Sequence, residues 1–144
     1  MPARQTPEFV YRRGELMAEI YLTSLGAKVT KSPSEAVDFL AFFESDGKAM
    51  HVVAVEVKAR ETPIPAEFEI DSGIAAQAAH SNIPTLLLVI DVKQNKIGFA
   101  WIDEFARLHE STPRKGKIRI PLQDAENHRE QIRDRILATA IAVA

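Results

Sequence analysis

The sequence predicts an α/β fold, a mixed β-sheet with helices on both faces. Three observations predict it. Two apolar, strand-like stretches, Val37–Glu44 and Met50–Lys58, flank the turn-forming Ser45-Asp46-Gly47-Lys48 and read as one hairpin. The unbroken run Leu86-Leu87-Leu88-Val89-Ile90 is typical of a strand buried on both faces. Between them, Ile70, Ile74, Ala75, Ala78 and Ala79 recur at helical spacing. A hairpin followed by a helical crossover to another strand implies a mixed sheet.

Residues 1–11 carry prolines and little periodicity and read as a loose lead-in. A helix is expected from Arg13 to Leu25, with Leu16 and Ile20 on one line and Gly26 as its stop. Ala27–Thr30 reads as a short strand and Lys31–Ser34 as a loop. The hairpin follows. Pro63 and Pro65 interrupt the chain before a helix expected over Glu67–Ser81. Thr85–Asp91 and Ile97–Ile102 are expected strands about a turn at Gln94-Asn95-Lys96. Asp103 is placed to cap a short helix reaching about His109. Arg114–Arg119 reads as a basic loop, Ile118–Pro121 as an edge strand, and the end of the chain (123–144) as a C-terminal helix. On that helix Ile132, Ile136, Leu137, Ala140 and Ile141 form a stripe that either closes the core or meets a second copy.

The 144 residues suit one domain, and 46% hydrophobic with 26% charged residues are ordinary for a folded protein. With no cysteine there is no disulfide, thiolate-bound zinc or thiol nucleophile, which fits a cytoplasmic location. No apolar run approaches the roughly 20 residues that span a bilayer, so no membrane role is expected. The net charge of −2 and pI of 6.1 exclude a strongly basic protein, so any grip on nucleic acid must be local.

The chemistry centres on Glu56-Val57-Lys58. Alternate residues of a strand share a face, so Glu56 and Lys58 point one way and Val53, Val55 and Val57 the other. Asp38 and Glu56 are symmetric about Gly47. An odd hairpin loop, such as Asp46-Gly47-Lys48, sets them opposite each other, whereas a two-residue turn faces Asp38 away. Two carboxylates that close repel unless a cation lies between them, and an oxygen-only donor set, with the Val57 carbonyl as a further ligand, suits Mg²⁺ or Mn²⁺. Lys58 is placed to orient a water or offset charge on a phosphate. Taken singly, Glu-x-Lys in a strand is commonly a surface ion pair and Asp38 a turn residue. The constellation is what carries weight.

Asp38, the hairpin and Glu56-Val57-Lys58, preceded by a helix bearing Gly14-Glu15, resemble the PD-(D/E)xK nuclease superfamily. The stretch Arg13–Arg60 is similar to archaeal Holliday-junction resolvases and to small bacterial nuclease-like domains. Val37 stands where the name-giving motif has proline. The resemblance implies a restriction-endonuclease-like fold and a metal-dependent endonuclease hydrolysing DNA phosphodiesters. It implies that Asp38 and Glu56 bind Mg²⁺ or Mn²⁺, that Lys58 serves the attacking water, and that Glu15 is the first-helix glutamate of the same catalytic metal site. Glu19 shares that helix face and is the second candidate, though either can be a solvated helix carboxylate. Gln77 matches a glutamine that some related nucleases place near the metal, or is an ordinary helix residue. Homodimers are common in the family.

For phosphate contact the candidates are Arg114, Lys115, Lys117 and Arg119, with Arg12, Arg13, Lys28 and Lys31 a second patch. Such charge runs are often solvated loops. Phe99 and Trp101 alternate on a strand, suited to base stacking or to packing. Two alternatives to an enzyme remain: a catalytically silent nuclease-fold module for nucleic-acid binding or assembly, which the acidic pI favours, and a protein-binding unit working through the C-terminal helix.

Overall fold

A computed structural model describes residues 7–32, 37–45, 49–108 and 116–138. Among these, the elements run α1 (Glu8–Ser24), β1 (Lys28–Lys31), β2 (Phe39–Ser45), β3 (Ala49–Arg60), β4 (Glu67–Asp71), α2 (Ser72–Ala79), β5 (Thr85–Asp91), β6 (Lys96–Trp101), α3 (Ile102–Leu108), β7 (Lys117–Pro121), β8 (Gln123–Asp124) and α4 (Arg129–Leu137). A 3-10 turn at Glu126–His128 leads into α4. The main sheet has the order β1-β2-β3-β5-β6-β8. The β3–β5 pair is parallel and the others antiparallel, so the expected mixed sheet is present.

Side-chain alternation sorts the sheet into two cores. Val53, Val55 and Val57 join Leu86, Leu88 and Ile90 beneath α1 and α4. Leu87 and Val89 point the other way, into a second core with α2 and α3. The run Leu86–Ile90 is therefore buried on both faces, and each such side chain contributes about 1.5–3 kcal/mol. Ile132 and Ile136 of the C-terminal stripe are fully buried in the first core, so those two residues close it. Ala140 and Ile141 lie outside the described residues.

Helix α1 lies close on β3 because residue 14 is glycine. A Cβ there would meet the Ala59 Cβ at 2.5 Å. Gly26, with φ +105°, ends the helix as expected. The start differs from expectation: Glu8–Tyr11 are helical, because Val10 is buried in the first core and tertiary packing overrides weak local periodicity.

The second difference lies at 67–71. The expected helix over Glu67–Ser81 begins only at Ser72, where Asp71 caps it through a 2.7 Å bond from the Gly73 N–H. The preceding Glu-Phe-Glu-Ile-Asp alternates with period two and forms β4, which pairs with β7 in a separate two-stranded sheet. The C-terminal segment likewise begins as β8 and a 3-10 turn, and α4 starts at Arg129.

Candidate metal centre

Hairpin register decides whether the two acids meet. Ser45 pairs with Ala49 and Phe39 with Val55, which is the register of a three-residue loop symmetric about Gly47. The loop residues 46–48 themselves lie outside the described residues. Asp38 stands one position past the last regular pair. Its N–H bonds the Val55 carbonyl at 3.0 Å, and its own carbonyl accepts from the Ser32 N–H at 3.1 Å. The aspartate is thus pinned where β2 starts and β3 continues alone.

Two donors hold the Asp38 carboxylate. Oδ2 accepts from the backbone N–H of Val57 at 2.7 Å, and Oδ1 from the Tyr11 hydroxyl at 2.5 Å. Tyr11 comes from α1, in the part of the chain that reads as a loose lead-in. It was therefore absent from the sequence-based candidates, and a single tyrosine there carries no local signal. The N–H and C=O of one strand residue point to the same side of the strand. The Val57 carbonyl accordingly faces the β2 side, beyond the end of that ladder.

Glu56 is only 9% exposed, and its Oε1 lies 3.2 Å from the Lys58 Nζ. The two side chains share a face, as alternation requires. Burial pushes the Glu56 carboxyl above its ordinary range, and the Asp38 charge pushes it further. Lys58 pulls it back without reversing the shift. Glu15 is also raised, by burial first. Lys31 opposes that shift and Asp38 adds to it. The Tyr11 hydroxyl is raised by burial, by its bond to Asp38, and by the charges of Asp38, Glu15 and Glu56. These groups therefore share one electrostatic neighbourhood.

The other candidates fall differently. Glu19 is exposed on α1. Gln77 lines the same cleft of about 320 Å³ as Glu56, so α2 does bring it to the centre's edge. Arg114 and Lys115 lie outside the described residues. Lys117 and Arg119 sit on β7 of the small sheet, opposite Asp71 and Glu69, and Arg119 pairs with Glu69 at 3.6 Å. Arg12 pairs with Glu8 at 2.9 Å, Lys28 is exposed on β1, and exposed Arg13 reaches Asn95. Phe99 is core, and Trp101 lies under the Arg135 guanidinium at 4.0 Å.

Among the described residues no three His, Asp or Glu side chains gather as a ready-made metal cage. The donor set nevertheless fits a hard divalent ion. The Asp38 charge raises the cost of ionising Glu56, and each Asp38 oxygen keeps a lone pair beyond the bond it accepts. An ion such as Mg²⁺ typically keeps several waters and takes one or two carboxylates.

No family model and no curated protein matches the chain. Solved structures do. A nuclease from a fusselovirus is similar over 90% of this chain and 94% of its own, with TM-score 0.57 and 11% identity. A Holliday junction resolvase from the archaeal hyperthermophile Archaeoglobus fulgidus is similar over 83% and 94%, with TM-score 0.54 and 12% identity. The chain has the restriction-endonuclease-like fold. Among the described residues, no helix is long and apolar enough to cross a membrane.

Proposed function

We propose that the protein is a metal-dependent endonuclease that hydrolyses DNA phosphodiester bonds. The observation that carries this reading is the buried Glu56 held beside Asp38, with Lys58 on the same face. The nuclease and resolvase that share the fold support it. Asp38, Glu56, Glu15 and the Val57 carbonyl are the proposed ligands of Mg²⁺ or Mn²⁺. When bound, the ion supplies a Lewis acid and lowers the pKa of water at the site.

This chain's own residues do the rest. Tyr11 and the Val57 N–H fix the Asp38 carboxylate, so it need not reorganise during reaction. The Lys58 side chain is 42% exposed and so reaches the solvent side, where it orients the attacking water and offsets charge growing on the phosphate oxygens. Water oxygen bonds to phosphorus and gives up a proton to solvent, the bond from phosphorus to the leaving sugar oxygen breaks, and that oxygen takes up a proton from solvent. Plasmid, branched and single-stranded DNA incubated with Mg²⁺ or Mn²⁺ should be cut by the wild type and not by Asp38→Ala or Lys58→Ala. Equal cleavage by all three proteins overturns the assignment.

A second reading, a catalytically silent module for nucleic-acid binding or assembly, is favoured by one observation. Both Asp38 oxygens already accept hydrogen bonds from the protein. Calorimetry with Mn²⁺ separates the two: heat that disappears in Asp38→Ala supports the enzyme, and no heat supports the module. Sedimentation of the full chain tests whether it forms the homodimer that the resemblance implies.

A further inference from the structure

Cleavage chemistry uses one corner of the cleft between β3 and α2 and leaves its body unassigned. The whole cleft measures about 320 Å³. Leu40, Ala54, Ile74 and Ile83 supply apolar wall, Gln77 supplies an amide, and Glu56 is shared with the metal centre. No lysine or arginine is among the described residues that line it. A largely apolar cleft whose polar groups are hydroxyls of Ser32, Ser81 and Thr85, one amide and a carboxylate, with no cation, disfavours a phosphate. It suits a neutral, flat group with apolar faces and a hydrogen-bonding edge. Small-ligand sites run from about 300 to 1,000 Å³, so this one sits at the small end and admits one such group rather than a stacked pair.

A phosphodiester cut at Asp38 and Glu56 brings such a group with it. The nucleobase hangs one sugar away from its phosphate, and the cleft begins at Glu56. The Gln77 amide carries both a donor and an acceptor, the pairing needed along a base edge. A base stacked in duplex must first be unstacked, at a cost of a few kcal/mol that is least where it is already unpaired. We propose that the cleft receives the base of an unpaired nucleotide beside the scissile phosphate, so that the protein selects DNA at bulges, mismatches and single-stranded branches. The position of the phosphate rests on the nuclease reading, but base capture is measurable without cleavage.

The test uses two labelled duplexes with 2-aminopurine at one position, either paired or as a single-nucleotide bulge, titrated with the full chain in the absence of divalent ions. Expected are a fluorescence change with the bulge alone and binding at least about tenfold tighter to it, the scale set by the unstacking cost. Ala54→Leu fills the cleft from its floor and should erase the preference. Should that variant fail to fold, Gln77→Leu, at an exposed helix position, decides by weakening the preference several-fold. Equal wild-type affinity for both duplexes, or a preference that survives in the folded variant, overturns the proposal. A protein that captures the bulge but never cuts refutes the nuclease reading and leaves this one standing. A protein that cuts all DNA equally, with equal binding, does the reverse.

Discussion

Asp103 and Glu56 are both buried carboxylates, and their surroundings differ in what is left over. Asp103 is 1% exposed. Its Oδ1 accepts from the Thr85 N–H at 3.0 Å, and its Oδ2 faces Arg135 at 3.2 Å and Arg107 at 3.6 Å. The sequence places it as a cap for α3. Instead its carboxylate turns away to tie α3 to β5 and α4. One negative charge meets two cations and a backbone donor. Glu56 meets one lysine and a second carboxylate. A buried acid that only holds the fold together is compensated by the protein. One that is left under-compensated costs stability and keeps room for an outside cation.

The sharpest way to break this contrast is to delete each acid's support in turn. Asp103→Ala strands the Thr85 N–H and Arg135 and should cost about 3 kcal/mol, read as a lower urea midpoint with unchanged slope. A loss under about 1 kcal/mol would show that Asp103 is no better compensated in effect than Glu56. Lys58→Ala should act in the opposite way. We expect cleavage to fall by roughly 10²–10³-fold, as for removal of a single charge-stabilising donor, while the urea midpoint changes little because Lys58 is half exposed.

The same contrast explains what the sequence could reveal. Glu56 and Lys58 were legible because strand alternation puts them on one face, and Asp38 because hairpin symmetry sets it near Glu56. Period-two and apolar-run arguments likewise found β2, β3 and β5. Misses came where partners are distant. The strand β4 shows the same alternation, but its partner β7 lies beyond two strands and two helices, and helical spacing farther along claimed its residues. Tyr11 meets Asp38 only after α1 is laid on the sheet, and no local pattern encodes a contact made by docking. The acidic partners of Lys117 and Arg119 escaped for the same reason, since Asp71 and Glu69 face them only once the small sheet has formed.

Tyr11→Phe probes the supporting shell at smaller scale. Removing a hydroxyl that holds a proposed ligand carboxylate should weaken Mn²⁺ binding by about 10-fold, the lower end for such partners. Calorimetry reads it directly. The ring still packs, so the melting temperature without metal should shift little. An unchanged Mn²⁺ affinity would mean that Asp38 is oriented by the Val57 N–H alone.

Glu56→Gln should give the smallest effect and the one of least expected sign. The folded state raises this carboxyl above its ordinary 4.5, so folding favours the protonated form. Its contribution to stability is fully present below about pH 4.5 and is lost as pH rises through the higher folded value. At neutral pH Glu56 therefore costs the metal-free protein stability. Glutamine removes that charge while keeping the shape, so Glu56→Gln should melt at or above the wild-type temperature at pH 7, and the gap should close as pH falls toward 4.5. With Mn²⁺ present the order should invert, because an ion that binds only the folded wild type raises its stability by mass action and finds one fewer carboxylate in the variant. A variant that is less stable than wild type at neutral pH without metal would mean that Lys58 already compensates Glu56, and would move it into the same class as Asp103.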